Sequence, residues 1–214
     1  MSKKTEFKRD FERITKVFVL CNESYLVLRE LYRTEDNSDF INQTKFKNSF
    51  FVLTKVNYWR VIVLQASKLF FDKGPFNIVK FLSKCCNGNH YATLNLDAKF
   101  IIGKLEFIDK SKYIIDELKI QRDKIIAHED SNNIDIVNNV TLDEIGNLIM
   151  FCKDVIFHIY GELYDVHYDF EMRDSPEINL KIILKSLDKN HKIHVEKRKN
   201  MIKELIQGNK KINK

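Results

Sequence analysis

Apolar residues return at three- and four-residue intervals along much of this chain. Phe7, Phe11, Ile14, Val17, Phe18, Cys21, Tyr25, Leu28 and Leu31 draw one stripe along residues 5–33, which predicts a long amphipathic helix. The polar stretch TEDNSD (34–39) ends it. A second helix is expected over about 42–72, through NSFFVLTKVNYWRVIVLQASKLFFDK. Over 50–71 it is apolar around most of its circumference, so it is expected to be the central and most buried helix. Gly74-Pro75 stops it, and a short helix over 76–86 leads into the loop NGNHYATLN. A third long helix is expected from near Leu96 to about His128. After the polar segment EDSNNIDIVNN, Thr141-Leu142-Asp143-Glu144 has capping-box spacing and opens a helix to about Tyr168. Acidic residues then cluster before Ser175-Pro176-Glu177, where Pro fits the first turn of another helix. Farther on, KIILKSL reads as helix or strand, whereas HVEKRKNMIKELI reads as helix. These elements make an all-α, up-and-down bundle of four or five helices over 1–170, with a C-terminal extension over 171–214.

Composition narrows this picture. Only two Pro and six Gly occur in 214 residues, too few turn formers for a strand-rich fold, and 44% hydrophobic content suits a folded core. No apolar run is long enough to span a bilayer, and the charged start does not read as a signal peptide. Cys21, Cys85, Cys86 and Cys152 form no disulfide pattern, so a cytoplasmic setting with reduced thiols and no membrane partner is expected. The net charge of +6 is uneven: residues 181–214 hold eleven Lys/Arg against three Asp/Glu, leaving the rest slightly acidic. In that basic extension Lys197, Arg198, Lys199 and Lys203 are candidates for contact with an RNA backbone. A solvated, solubilising tail would carry the same charge.

The third helix ends in QRDKIIAHED (121–130), which places Arg122 and His128 beside an apolar ribbon of Ile101, Leu105, Ile108, Ile115, Leu118 and Ile125. At ~100° per residue, each lies about 60° to either side of Ile125, and the two are roughly 9 Å apart along the axis. Within one helix they do not easily converge on a single phosphate. A second copy packed across the seam by a two-fold axis would bring Arg122 of each protomer towards His128 of the other. The pair suits RNA cleavage without metal. A histidine titrating near neutrality takes the proton from a ribose 2′-hydroxyl or gives one to the leaving oxygen. A guanidinium stabilises the charge developing on phosphorus. Asp123 is placed to orient a side chain or the substrate. The same residues also fit a plain structural role, His128 at a helix C-terminus and Arg122 in a salt bridge.

Other candidates carry less. Cys85-Cys86 with His90 lacks the spacing of a zinc site. His158 and His167, among Phe157, Tyr160 and Tyr164, read as core or surface histidines, and Trp59 as core. No Gly-rich phosphate loop or nucleophile elbow occurs. Neither a metal nor a cofactor is expected.

Arg122-Asp123-Lys124-Ile125-Ile126-Ala127-His128, at the end of a long bundle helix and followed by a polar loop and a capped helix, resembles the signature of the HEPN superfamily (higher eukaryotes and prokaryotes nucleotide-binding). Within it, NYWRVIVLQASKLFFDKGPFNIVKFL (57–82) and TLDEIGNLIMFCKDVI (141–156) are most similar to the abortive-infection AbiU-type branch, with a likeness over roughly 10–165. The resemblance implies an all-α homodimer with the signature residues of both subunits lining one cleft. It further implies metal-independent endoribonuclease activity in phage defence or a toxin–antitoxin system, where an antitoxin protein would be a further partner. On this likeness Arg122 and His128 are the catalytic pair and Asp123 the polar residue beside them. Where HEPN toxins silenced by nucleotidyl transfer carry a Tyr, this chain has Asp130. The reading from a different class is a non-catalytic helical module that binds nucleotide, RNA or protein. A guanidinium and imidazole facing an open cleft would speak for the enzyme, and burial in an intrachain salt bridge for the module.

Overall fold

The computed structural model describes residues 2–36, 49–71, 74–94, 96–127, 139–164 and 175–212. Among them are seven α-helices and no strand: α1 (Lys3–Asp36), α2 (Ser49–Phe70), α3 (Ile78–Cys85), α4 (Ala98–Lys110), α5 (Lys112–Ala127), α6 (Leu142–Tyr164) and α7 (Pro176–Ile212), with a short 3-10 turn at Ala92–Leu94. The all-α bundle expected from the periodicity is what forms.

The central helix is α1, which packs against α2, α3, α6 and α7. Its stripe of Phe7, Phe11, Ile14, Phe18, Cys21, Leu28 and Leu31 is fully buried. Each large apolar side chain so enclosed contributes about 1.5–3 kcal/mol. The expectation that the second helix would be the most buried is corrected here. Phe50, Val52 and Leu53, in the first turn and a half of α2, are exposed, and burial begins at Trp59. An all-round apolar helix does not specify which face its neighbours cover, and α1, with neighbours on several sides, takes the centre. At the start of α1, Phe7 meets Phe81 of α3 and Tyr91, with ring centroids 5.0 and 5.2 Å away, and Phe11 meets Phe81 at 5.8 Å. Asp10 is buried beside them and accepts hydrogen bonds from the Tyr91 hydroxyl (2.9 Å) and the Lys84 ammonium (3.1 Å).

The third long helix is two helices joined through one residue. Ser111 sits at φ −90°, ψ 6°, in the bridge region, and its N–H donates to the carbonyls of Phe107 (3.0 Å) and Ile108 (3.1 Å). The hydrogen-bond ladder resumes at once, Ile115 N–H donating to Ser111 O at 3.2 Å. Ile101, Ile108, Ile115, Leu118 and Ile125 stay buried on both sides of the hitch, so the ribbon survives it. The capping box forms as expected: Glu144 accepts from Thr141 N–H at 2.7 Å, and Glu144 N–H donates to Thr141 Oγ1 at 3.2 Å. Where α1 passes α6, a Cβ at Gly146 would collide with the Tyr25 hydroxyl, so any other residue there would force the tyrosine ring to shift.

The ambiguous C-terminal segment is one helix, α7, opened by Ser175, whose hydroxyl accepts from Ile178 N–H at 3.3 Å. Its first turns seat Leu180 and Leu184 against Val27 and Leu31 of α1. There Glu177 pairs with Arg29 (3.6 Å) and with Lys181 (2.8 Å). Beyond Asp188 none of the residues up to Ile206 is buried. The domain boundary expected at 170 lies outside the described residues. No helix among the described residues is long and apolar enough to cross a membrane.

Candidate functional site

Leu118, Gln121 and Ile125 face inward on α5, which packs on α2. Arg122 lies off this inner line and is half-buried, as its angular position predicts. Its guanidinium carbon sits 4.7 Å from the ring centroid of Phe71, the residue after α2, a cation–π stack. From the side, Asp123 Oδ1 accepts from Arg122 Nε at 2.9 Å and from Nη2 at 2.7 Å. An aromatic face and a carboxylate therefore fix the plane of the guanidinium. The Arg122 side chain keeps 20% of its surface open and that of Asp123 56%. This is an intrachain ion pair, the feature named above as favouring a non-catalytic module, but it lies at a water-facing rim. α5 runs to Ala127. His128 and Asp130 lie outside the described residues.

Gln121, beside Arg122, is buried with neither its amide nitrogen nor its amide oxygen hydrogen-bonded. Its place on the apolar ribbon, one turn before Ile125, was the sequence signal that it is buried.

Lys197, Arg198, Lys199 and Lys203 are all exposed on α7. At ~100° per residue the first three point in three directions around the rod, while Lys199 and Lys203 share a face. With Lys185, Lys189 and Lys192, also exposed, Lys199 and Lys203 make one basic face of the rod, and exposed Met201, Ile202, Leu205 and Ile206 lie on another side.

The weaker metal candidates do not assemble. Cys85 is buried, and desolvation pushes its thiol up to about 12, far from the thiolate a metal needs. His90 instead meets Glu6, Nε2 to Oε2 at 3.1 Å. Trp59 is core, as read. His167 lies outside the described residues. His158, read as a core or surface histidine, has a setting the sequence did not suggest: it converges with Asp97 and Glu162. An open groove of about 630 Å³ between α1, α6 and α7 is lined by Tyr25, Arg29, Asp143, Lys153, Glu177 and Lys181, among others. Its charges are mixed, and it includes none of the candidate catalytic or RNA-contacting residues.

No curated protein and no solved structure matches the chain. The AbiU2 family model of the HEPN group matches residues 6–179, from the start of α1 into the first turn of α7. That span covers both helices of the Arg122 site and stops short of the basic part of α7. This chain belongs to the HEPN AbiU2 family.

Proposed function

We propose that this protein is a metal-independent endoribonuclease of abortive infection, acting as a homodimer in the cytoplasm, with Arg122 and His128 of both subunits forming a composite site. The observation that carries the reading is the held guanidinium. Phe71 and Asp123 fix a planar guanidinium of the kind that binds phosphate, still partly open, six residues before His128 in the sequence. In this scheme the His128 imidazole takes the 2′-hydroxyl proton, the 2′-oxygen attacks phosphorus to form the 2′,3′-cyclic phosphate, and the 5′-oxygen leaves as the imidazolium hands that proton to it. Arg122 stabilises the charge on the non-bridging oxygens. Asp123 orients Arg122 and yields part of it to the incoming phosphate. The exposed lysines of α7 add sequence-independent hold on the RNA backbone, and an antitoxin protein is a further partner in such systems.

One observation favours a second reading. Asp123 already occupies two donors of Arg122, which suits a non-catalytic nucleotide- or RNA-binding module. Incubation of purified protein with RNA in EDTA separates the two. The nuclease leaves fragments ending in 2′,3′-cyclic phosphate, and His128→Ala abolishes them in a folded protein. Intact RNA across several substrates would leave the binding module.

A further inference from the structure

Asp97, His158 and Glu162 bring one ligand atom each within 4.8 Å of one another, between the start of α4 and the last turns of α6. We propose that these three side chains bind one divalent cation of the zinc class. Each is held in place by its local structure. Asp97 is the N-cap of α4, and its Oδ1 accepts from Lys99 N–H (2.8 Å) and Phe100 N–H (3.2 Å), which fixes the carboxylate and leaves Oδ2 for a ligand. His158 and Glu162 stand one turn apart on the same face of α6. The His158 ring lies flat on Phe100, centroids 3.6 Å apart and planes 17° apart, so its orientation is set by packing. Glu162 Oε2 accepts from the Asp97 N–H at 3.3 Å, which ties the two halves of the site together.

The decisive detail is the relation of His158 to Glu162. Nε2 lies 3.2 Å from Glu162 Oε1, close enough for a hydrogen bond, yet it is buried and makes none. The distance is right and the direction is wrong. An ordinary His–Glu ion pair one turn apart would align the N–H with the oxygen. Two atoms side by side without pointing at each other are in the relation of neighbouring ligands on one metal. With metal–ligand bonds of about 2.0–2.2 Å, adjacent ligands sit about 2.8–3.1 Å apart on an octahedral ion and about 3.3–3.6 Å apart on a tetrahedral one, which brackets this separation. A cation there would also satisfy a buried imidazole nitrogen that otherwise makes no hydrogen bond. Two carboxylates and a neutral imidazole match a doubly positive ion, and one nitrogen with two oxygens is a donor set zinc accepts. The bound ion would clip the start of α4 to the end of α6, and it takes no part in the chemistry assigned to Arg122 and His128.

The test uses the full chain, dialysed against EDTA, exchanged into chelator-free buffer and titrated with Zn²⁺. We expect one ion per chain by elemental analysis and calorimetry. The melting temperature should rise ~5–10 °C at ~100 times the dissociation constant. Glu162→Gln, and Asp97→Asn, which keeps the N-cap acceptor, should each weaken binding more than tenfold, while Cys86→Ser binds like the wild type. His158→Ala also loses the Phe100 stack, so the two near-isosteric variants decide the question. Failure to take up Zn²⁺, undiminished binding in both Glu162→Gln and Asp97→Asn, or loss of binding in Cys86→Ser would each overturn the proposal.

Discussion

A guanidinium is a rigid planar fork of donors, so what the surroundings of Arg122 set is direction. Phe71 and Asp123 do this from two sides, and neither neighbour is replaceable by charge alone. Arg122→Lys preserves the charge but not the planar fork; cleavage measured on a defined RNA should fall about 10²–10³-fold with helix content unchanged. A different carboxylate controls acid stability. Burial alone would raise the Asp10 pKa, but hydrogen bonds from Tyr91 and Lys84, with the charge of Lys84 and Arg9, outweigh it and hold it below the ordinary 3.8. A lowered folded-state value means that the contribution is complete above pH 3.8 and is lost as pH falls through the lower native value. Urea unfolding across that acid range should show a loss that Asp10→Asn flattens. Tyr91→Phe, which leaves Asp10 short of a donor, should cost about 1–3 kcal/mol at neutral pH. At this scale the sequence yielded Arg122 and Asp123 through their motif. It did not yield the setting of His158, because Asp97 is 61 residues away and a His–Glu pair one turn apart is common on helix surfaces.

Helices were legible where a stripe met a cap. The α1 stripe, the Thr141–Glu144 box and Ser175-Pro176 each place an end or a face correctly, because period and cap are local properties. The Ser111 hitch was not legible, since an apolar ribbon at three- and four-residue spacing runs through a one-residue break without losing phase. The exposed start of α2 was not legible either, because which side of an apolar helix is covered depends on neighbours distant in sequence. The crossing of α1 and α6 gives a direct test of helix packing. Gly146→Ala should destabilise the fold by about 1–3 kcal/mol, because the added methyl meets the Tyr25 ring and hydroxyl. The cost should be smaller in a Tyr25→Phe background, where the hydroxyl is gone, and a double-mutant cycle in denaturant reads the difference.

The molecule as a whole joins a helical body, which carries the family match, to a basic rod beyond it. The sequence distinguished these two parts by charge, and α7 adds that they share one helix, seated on α1 through Leu180 and Leu184. Exposed on every side, the rod should add affinity without selectivity. Replacing Lys197, Arg198, Lys199 and Lys203 by Gln should weaken binding to unrelated RNAs alike and flatten its salt dependence, by about 0.7 in log–log slope for each lost phosphate contact. The proposed composite site makes a sharper demand, because on a continuous helix Arg122 and His128 would stand roughly 9 Å apart along the axis and would not easily serve one phosphate. The measurement that tests it most directly mixes two inactive variants, Arg122→Ala and His128→Ala, lets their subunits exchange, and follows RNA cleavage in EDTA. Each heterodimer would hold one intact site, Arg from one chain and His from the other, so activity should return to about a quarter of the wild-type rate. A mixture that stays as inactive as either variant alone, while wild type cuts, would contradict a site built by two subunits.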